Sequence, residues 1–498
     1  MNRENTRYTN EGGWYESDKI RFRQGTPEKI GGWTRISSAS FLGICRSLWN
    51  WATLSSENYV GVGTNLKFYI ESGGQYNNIT PYENANTLTN PYETTLDSPL
   101  VEVTDLSGGY GDGDFVSFYP PVTVSGVTIS GDYQITSSGV NTYVIDVGTP
   151  ANATASGLGG TVYALYQIGT GPAAVVPLVG WGAGPWSAGT WGVGQSSSDA
   201  IRLWSQQNFG EDLIFGPHGG PIYYWDASIP FSGDTVSFTV ASPTVVTASA
   251  AYPEGTPIRF VPLAGATMPT GITGGEVYYV RNLSGVTFNI SSTFDGALID
   301  VAVAGTGDII IPTNAYALDE FGGSSSVPTV QNYLLVSDIS RFVFAFGCND
   351  YGSASVDPML VRWSDQEDPF NWAPASTNQA GFLRLSRGSA IITAAQSRQE
   401  VLVWTDAALY SLQYVGAPVV WGAQLVGDNI SIVSQNATAY ANGVSYWMGK
   451  DKFYKYDGRT QTLNCDLRRY VFEDINTAQY AQVFAGTNEG FNEIWWFY

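Results

Sequence analysis

The sequence has 498 residues, of which 43% are hydrophobic and 14% are aromatic, so it can bury a substantial core and is not a disordered chain. Only 13% of the residues are charged, yet the formal net charge is −21. Such an acidic chain is poorly suited to wrapping or reading nucleic acid through its phosphates. The many aromatic residues and the 57 glycines instead favour short strands joined by tight turns, which indicates an all-β fold.

The N-terminal residues, the apolar runs and the cysteines indicate the compartment in which the protein folds. The first seven residues are polar and charged, which excludes a secretory signal, and no apolar run approaches the ~20 residues needed to span a bilayer. Cys45, Cys348 and Cys465 are far apart and odd in number, so they predict core thiols in a reducing cytosol. No membrane span is therefore predicted.

One two-strand unit recurs along the chain: an apolar run, a tight turn, and then a strand that ends in aromatic residues. Its copies occupy residues 58–69, 212–224, 401–410 and 444–454. The last two copies are about 45 residues apart, the length of one four-stranded propeller blade. The sequence therefore predicts a β-propeller, with insertions between the earlier copies.

Residues 97–172 and 233–313 are the predicted insertions, because they are rich in Gly, Thr, Val and Ser and poor in Trp. They also resemble each other: residues 114–118, 126–133 and 141–145 match residues 256–260, 271–278 and 286–290. We interpret them as two small β domains inserted in propeller loops, which tolerate such additions. The predicted order is propeller 1–96, acidic inserted domain 97–172, a Gly/Trp loop with further propeller 173–232, second inserted domain 233–313, and the remaining blades 314–498.

The first insertion contains acidic residues and no basic residues to balance their charge. It contains seven carboxylates and no Lys or Arg, whereas residues 1–35 hold seven bases against five acids. Either these side chains form a solvated face, or they have a specific electrostatic role. The seven are Asp97, Glu102, Asp105, Asp112, Asp114, Asp132 and Asp146.

Two further segments suggest contacts. Trp181, Trp186 and Trp191 lie five residues apart in a Gly-rich loop, a spacing that fits neither a strand nor a helix. They are candidates for docking on a neighbouring subunit, since Trp is enriched at interface hot spots, or for packing back on their own domain. The apolar strand at 491–498 either pairs with an N-terminal strand such as 28–36, which would close a ring, or is followed by further strands.

No constellation for catalysis stands out. His218 is the single histidine and reads as a turn residue. Asp365, Glu367 and Asp368 have the composition of a glycosidase carboxylate pair or a calcium site. Because strand geometry separates neighbouring side chains and a proline follows, a turn between blades with Trp363 and Trp372 in the core is the preferred interpretation. We predict no enzyme, no cofactor and no metal site.

The order of several motifs resembles the tail nozzle or hub proteins of short-tailed bacteriophages, also called packaged-DNA stabilisation proteins. The similar segments cover the propeller parts, residues 5–80, 200–230 and 315–498, and the two insertions contribute little. The motifs include residues 5–8, 18–23 and 27–33, and, more strongly, 341–347, 361–365 with 371–372, 446–449, 453–458 and 493–498.

This resemblance implies a virion protein made in the host cytoplasm and assembled in the tail as a ring of six copies. Its partners would be other copies of itself, the portal and adaptor proteins, and tail fibres or a needle. Packaged DNA would pass through the ring without sequence-specific binding and be retained until ejection. We hypothesise that the acidic insertion faces this channel or the tail tip, because carboxylates offer phosphates no contact.

Two alternatives belong to other classes. A carbohydrate-binding or carbohydrate-cleaving propeller would explain the aromatic residues and the carboxylates at 365–368, although few arginines are present to hold an acidic sugar. A general scaffold propeller for a cellular partner would explain the fold alone.

Overall fold

A computed structural model describes residues 17–175, 200–465 and 467–498. In these ranges the chain consists mainly of antiparallel strands, numbered β1 to β39 in chain order. The described helices are α1 (Arg468–Asp474) and three short 3₁₀ helices, Leu318–Glu320, Thr477–Gln482 and Glu489–Phe491. Across the described ranges, no helix is both long enough and apolar enough to cross a membrane.

Five four-stranded sheets in the described ranges form the blades of a β-propeller, which confirms the predicted fold class. Blade 1 contains β3 (Cys45–Ala52), β4 (Asn58–Thr64), β5 (Phe68–Ser72) and β6 (Gln75–Asn78), and blade 2 contains β15 (Trp204–Phe209), β16 (Asp212–Pro217), β17 (Tyr223–Trp225) and β25 (Tyr316–Ala317). Blade 3 contains β26 (Tyr333–Ser337), β27 (Phe342–Phe346), β28 (Leu360–Trp363) and β29 (Gly381–Arg384). Blade 4 contains β30 (Ile391–Gln396), β31 (Glu400–Thr405), β32 (Ala408–Gly416) and β33 (Val420–Asp428), and blade 5 contains β34 (Thr438–Ala441), β35 (Val444–Met448), β36 (Phe453–Tyr456) and β37 (Thr460–Leu463).

The recurring two-strand unit corresponds to the middle of a blade. Its aromatic strands are β5, β17, β32 and β36, the third strands of blades 1, 2, 4 and 5, and the runs before them are the second strands. The second strands of blades 2, 3 and 4, which are β16, β27 and β31, are buried along nearly their whole length because neighbouring blades cover both of their faces. Along β31, Val401 and Val403 join the core shared with blade 3. The alternate residues Leu402 and Trp404 join the core shared with blade 5.

Two barrel-like sheets interrupt the propeller. Barrel 1 lies between blades 1 and 2 and contains β7 (Tyr82–Thr89), β8 (Tyr92–Thr94), β9 (Leu100–Thr104), β10 (Phe115–Val124), β11 (Val127–Ser138), β12 (Thr142–Asp146), β13 (Ala155–Leu158) and β14 (Thr161–Gln167). Barrel 2 lies inside blade 2 and contains β18 (Asp234–Phe238), β19 (Val246–Thr247), β20 (Pro257–Arg259), β21 (Val261–Pro262), β22 (Val277–Ser284), β23 (Thr287–Ser291) and β24 (Ile309–Ile311). Barrel 1 begins at Tyr82, before the residue 97 that composition suggested, because β7 and β8 complete its sheet.

The two barrels share one order of strand pairing. In barrel 1 the pairs run β13–β8–β9–β12–β11–β10–β14–β7, and two residues of chain join β7 to β8. In barrel 2 the pairs run β18–β19–β23–β22–β20, and then from β21 through β24 back to β18. The internal similarity predicted from the sequence is therefore a repeated topology.

The barrels also pack against each other. A Cβ atom on Gly274 of barrel 2 would lie 2.6 Å from Cδ2 of Tyr163 in β14, and one on Gly275 would lie 2.8 Å from Cδ1 of Leu165. Gly275 also has a φ of +82°, which favours glycine. Two adjacent glycines thus allow barrel 2 to approach barrel 1 directly.

Two hairpins lie at the seam between blade 5 and blade 1. They are β1 (Ile20–Arg23) with β2 (Thr26–Lys29), and β38 (Phe484–Asn488) with β39 (Glu493–Phe497). Of the two arrangements expected for the strand at 491–498, pairing with 28–36 is not observed, because β39 pairs with β38. Side chains make the contact instead: Arg21 Nε lies 3.2 Å from Glu493 Oε1, and the rings of Trp33 and Trp495 meet edge to face at 5.9 Å.

Candidate functional site

The seven acidic residues predicted for a channel or tip all lie in barrel 1, but they differ in exposure. Asp97, Glu102, Asp112, Asp132 and Asp146 are exposed, Asp114 is half-buried, and Asp105 is buried. Their side chains are therefore not one uniform acidic surface, and two of them have internal roles that composition could not show. The channel role itself remains a prediction.

Asp132 joins barrel 1 to blade 1. Its Oδ2 lies 2.6 Å from Nζ of Lys67, whose side chain is 2% exposed, and it also accepts a hydrogen bond from Asn78 at 2.8 Å. Its Oδ1 accepts from Ser117 Oγ at 2.5 Å. Burial raises the pKa of Asp132, but the Lys67 charge and these hydrogen bonds outweigh burial and hold that pKa below its ordinary 3.8. Asp132 is therefore an ionised structural tie.

Asp105 sits inside barrel 1, 1% exposed. Its Oδ2 accepts hydrogen bonds from Tyr166 Oη at 2.5 Å and Asn86 Nδ2 at 2.7 Å, and its Oδ1 accepts from the backbone of Ser107. Tyr166 Oη is also hydrogen-bonded to Tyr143 Oη at 2.9 Å. A buried carboxylate with several donors is satisfied by the protein itself, so Asp105 offers nothing to DNA or solvent.

The carboxylates at 365–368 form a turn, as predicted. Asp365 Oδ1 accepts from the backbone N–H of Gln379 at 2.8 Å, and Asp368 Oδ1 accepts from the backbone N–H of Phe370 at 3.0 Å. Glu367 forms an exposed ion pair with Arg341 at 2.9 Å. Trp363 and Trp372 are buried at either end of this segment, as predicted. The turn joins β28 to β29 inside blade 3, however, so the prediction that it connects two blades is wrong.

Within the described ranges, the remaining residues considered from the sequence do not come together as a catalytic or metal-binding group. His218 lies in the turn after β16, where its backbone N–H donates to the carbonyl of Leu203, so it is a turn residue as predicted. Cys348 is buried, and burial raises the pKa of its thiol to about 12. Within the described ranges, no group of three or more His, Cys, Asp or Glu side chains is placed to hold a metal ion. Trp181, Trp186 and Trp191 lie outside the described residues.

A large opening that sequence reasoning missed lies where blades 1, 2 and 3 meet barrel 2. This inter-blade cleft has a volume of about 1030 Å³. Its walls are the β3–β4 loop, the β15–β16 turn, the segment after β17, the β26–β27 turn and the turn at 367–370, with Ala251 and Pro253 from barrel 2. Because its residues come from six separate stretches of the chain, no local motif signals it.

The inter-blade cleft is strongly acidic. The part of its lining that the structure describes holds one cation, Arg341, which forms an ion pair with Glu367. The six carboxylates are Glu57, Glu211, Asp212, Asp226, Asp338 and Glu367. Burial raises the pKa of Asp212 and of Asp338 above the ordinary value. Perturbed carboxylates in a cleft are a common mark of a binding or catalytic site.

Most of these carboxylates are fixed by the protein. Asp212 accepts from Tyr224 Oη at 2.5 Å and from the backbone N–H of Ala227 at 2.9 Å. Glu211 accepts from a backbone N–H at 2.5 Å, Asp226 from one at 2.8 Å, and Glu57 from a tyrosine hydroxyl at 3.0 Å. Tyr224 and Phe370, both half-buried, pack together with ring centroids 5.3 Å apart beside the carboxylates. The cleft thus combines fixed acceptors with aromatic surface.

The fold and this cleft define the class of molecule: an all-β propeller that carries two barrels of the same topology and an acidic cleft between blades. The chain matches no protein-family model and no curated protein sequence. Among solved structures it is similar to a phage phi92 endosialidase at 12% sequence identity and a TM-score of 0.17. The alignment covers 88% of this chain and 66% of the endosialidase chain. This chain therefore spans slightly less than two thirds of the length of the endosialidase chain. A TM-score this low establishes nothing further about this chain.

Proposed function

We propose that the chain is a structural subunit of a bacteriophage tail, a nozzle or hub protein whose copies surround the DNA path below the portal and adaptor. The observation that carries the proposal is the ordered series of propeller motifs, which resembles that family over residues 5–80, 200–230 and 315–498. The strands of blades 1 to 5 lie in these segments, and the divergent segments hold the barrels.

The attachment of the barrels supports a structural role. Lys67 and Asp132 tie blade 1 to barrel 1 through a buried charge. Arg259 of barrel 2, 4% exposed, donates to the carbonyl of Gly275 at 2.6 Å and to that of Tyr82 in barrel 1 at 3.3 Å. Buried and directional contacts of this kind fix modules relative to one another, as a subunit of a rigid ring requires.

The charge also suits a DNA conduit. Phosphate contacts from Lys and Arg supply most non-specific DNA affinity, and barrel 1 contains neither residue type between 97 and 172. An acidic wall would let the genome move without adhering. A particle map that places barrel 1 on the outer wall, away from DNA, would refute this part of the proposal.

Deletion of the gene tests the tail role directly. Particles assembled without the chain should package DNA and then lose it, because the proposed ring closes the exit. Complementation with the intact chain should restore DNA retention and infectivity. Particles that retain and deliver their genome without the chain would rule out the proposed role.

A second candidate is a carbohydrate-binding or carbohydrate-cleaving propeller, and the inter-blade cleft is the observation that favours it. Incubation with polysaccharides and a reducing-end assay tests cleavage. Because Asp365 and Asp368 are bound to turn backbone, turnover abolished by Asp365→Ala would contradict the structural assignment of that turn.

A further inference from the structure

We propose that the inter-blade cleft binds an oligosaccharide that carries free amines, a chain of basic amino sugars. The proposal rests on the second candidate function, carbohydrate binding, and does not depend on the tail assignment. Ligand pockets commonly have volumes of roughly 300–1,000 Å³. At about 1030 Å³ the cleft is large enough for several sugar rings.

Charge determines which ligands the cleft accepts. Among the described residues of the lining, six carboxylates outnumber one guanidinium, which is itself paired with Glu367, so the net negative charge opposes an anionic ligand. Sialic acids and other acidic sugars would meet like charge. A single metal ion does not fit either, since the described carboxylates form no ligating group of three. A ligand whose positive charges are spread along a chain matches the distribution of these carboxylates.

Hydrogen bonding and aromatic surface favour a sugar over other cations. An ionised carboxylate has about four acceptor sites, so the bonds that Asp212 accepts from Tyr224 and Ala227 leave further sites open. Asp338, an exposed residue of the lining, makes no side-chain hydrogen bond or ion pair with the described residues. These acceptors suit hydroxyl and ammonium donors, and the half-buried Tyr224 and Phe370 add aromatic surface to the same lining.

Four probes of matched length separate the contributions of positive charge, sugar rings and negative charge to binding. They are the hexamer of glucosamine, the hexamer of N-acetylglucosamine, a sialic acid hexamer and hexalysine, titrated calorimetrically into the full chain at about pH 6 and low salt. The glucosamine hexamer should bind at least roughly tenfold more tightly than its acetylated counterpart, because acetylation removes the charges and keeps the rings. The sialic acid hexamer should not bind.

Variants place the binding in the cleft. Asp338→Asn and Asp226→Asn each remove one negative charge from the lining, and each should weaken binding of the glucosamine hexamer by roughly tenfold. Asp300→Asn and Asp308→Asn remove the same charge from exposed positions on barrel 2 and should leave the affinity unchanged. Melting curves of all four variants confirm that each chain is folded.

Each outcome supports or overturns a defined part of the proposal. Equal binding of both sugar hexamers would retain carbohydrate binding and overturn the selectivity for amines. Hexalysine that binds as tightly as the glucosamine hexamer would show a basic-peptide site and overturn the sugar assignment. No binding by the glucosamine hexamer, or equal losses in the barrel 2 controls, would overturn the cleft proposal while leaving the tail role untouched.

Discussion

The buried tie between blade 1 and barrel 1 gives the most quantitative prediction. In Asp132→Asn the Lys67 ammonium, 2% exposed, would lose the one counter-charge that the described residues place within 4.0 Å. Breaking one side of a buried pair costs roughly 3–5 kcal/mol. Because the Asp132 side chain is 30% exposed, water will recover part of this loss, and we expect a cost of about 2–4 kcal/mol in the local stability of barrel 1.

The reverse change should cost less. Lys67→Met removes the buried charge itself and leaves the Asp132 carboxylate with its hydrogen bonds from Ser117 and Asn78. We therefore expect a cost of about 1 kcal/mol, and a double variant whose cost is well below the sum of the two single ones.

Hydrogen–deuterium exchange resolves this effect locally. Asp132→Asn should raise exchange in β10 and β11 by at least roughly 30-fold, while β31 of blade 4 serves as an internal control that should not change. The folded-state pKa of Asp132 is held below 3.8, so its contribution is present above that pH and is lost as the pH falls through the lower, folded value. The difference in stability between Asp132→Asn and the parent chain should accordingly vanish in strong acid. A cost for Lys67→Met that exceeds the cost for Asp132→Asn would refute the reasoning.

Three further predictions concern the barrel core, the blade contact and the turn. Asp105→Asn should lower the melting temperature and cost about 2–3 kcal/mol, because the amide cannot accept from all the buried donors; a neutral effect in calorimetry would contradict the buried network. Gly63→Ala would place a Cβ 2.7 Å from Cδ1 of Trp204 between blades 1 and 2. Urea unfolding should show that this variant loses about 1–3 kcal/mol of stability. The control Gly486→Ala has open space around the new Cβ and should lose less than 1 kcal/mol. Asp365→Ala should cost about 1–2 kcal/mol by the same assay, and equal stability to the parent chain would count against a structural turn.

The propeller could be predicted because its signal is local. The third strands of four blades repeat one pattern, a turn followed by aromatic residues, since each contributes an aromatic side chain to a core between neighbouring blades. Blade 3 does not show this pattern, because its third strand, β28, ends in Arg362 and Trp363 and not in an apolar–aromatic pair. Likewise β7, a largely polar strand, gave no indication that barrel 1 begins at Tyr82.

Side-chain roles could not be predicted from composition. Asp105 and Asp132 look like the other acids of barrel 1 in the sequence, and only the three-dimensional positions of Tyr166 and Lys67 show that they are internal ties. The inter-blade cleft was missed for a related reason. Its carboxylates are separated by up to 310 residues, from Glu57 to Glu367, and only the closing of the blades around one another brings them to a common opening.

A reconstruction of the virus particle that contains this chain tests the central claim most directly. We predict density for a ring of copies in the tail, below the portal and adaptor, with five blades and two barrels in each subunit and with barrel 1 facing the channel or the tip. A particle in which the chain is absent from the tail, or is present only as an isolated copy away from the DNA path, would contradict the account.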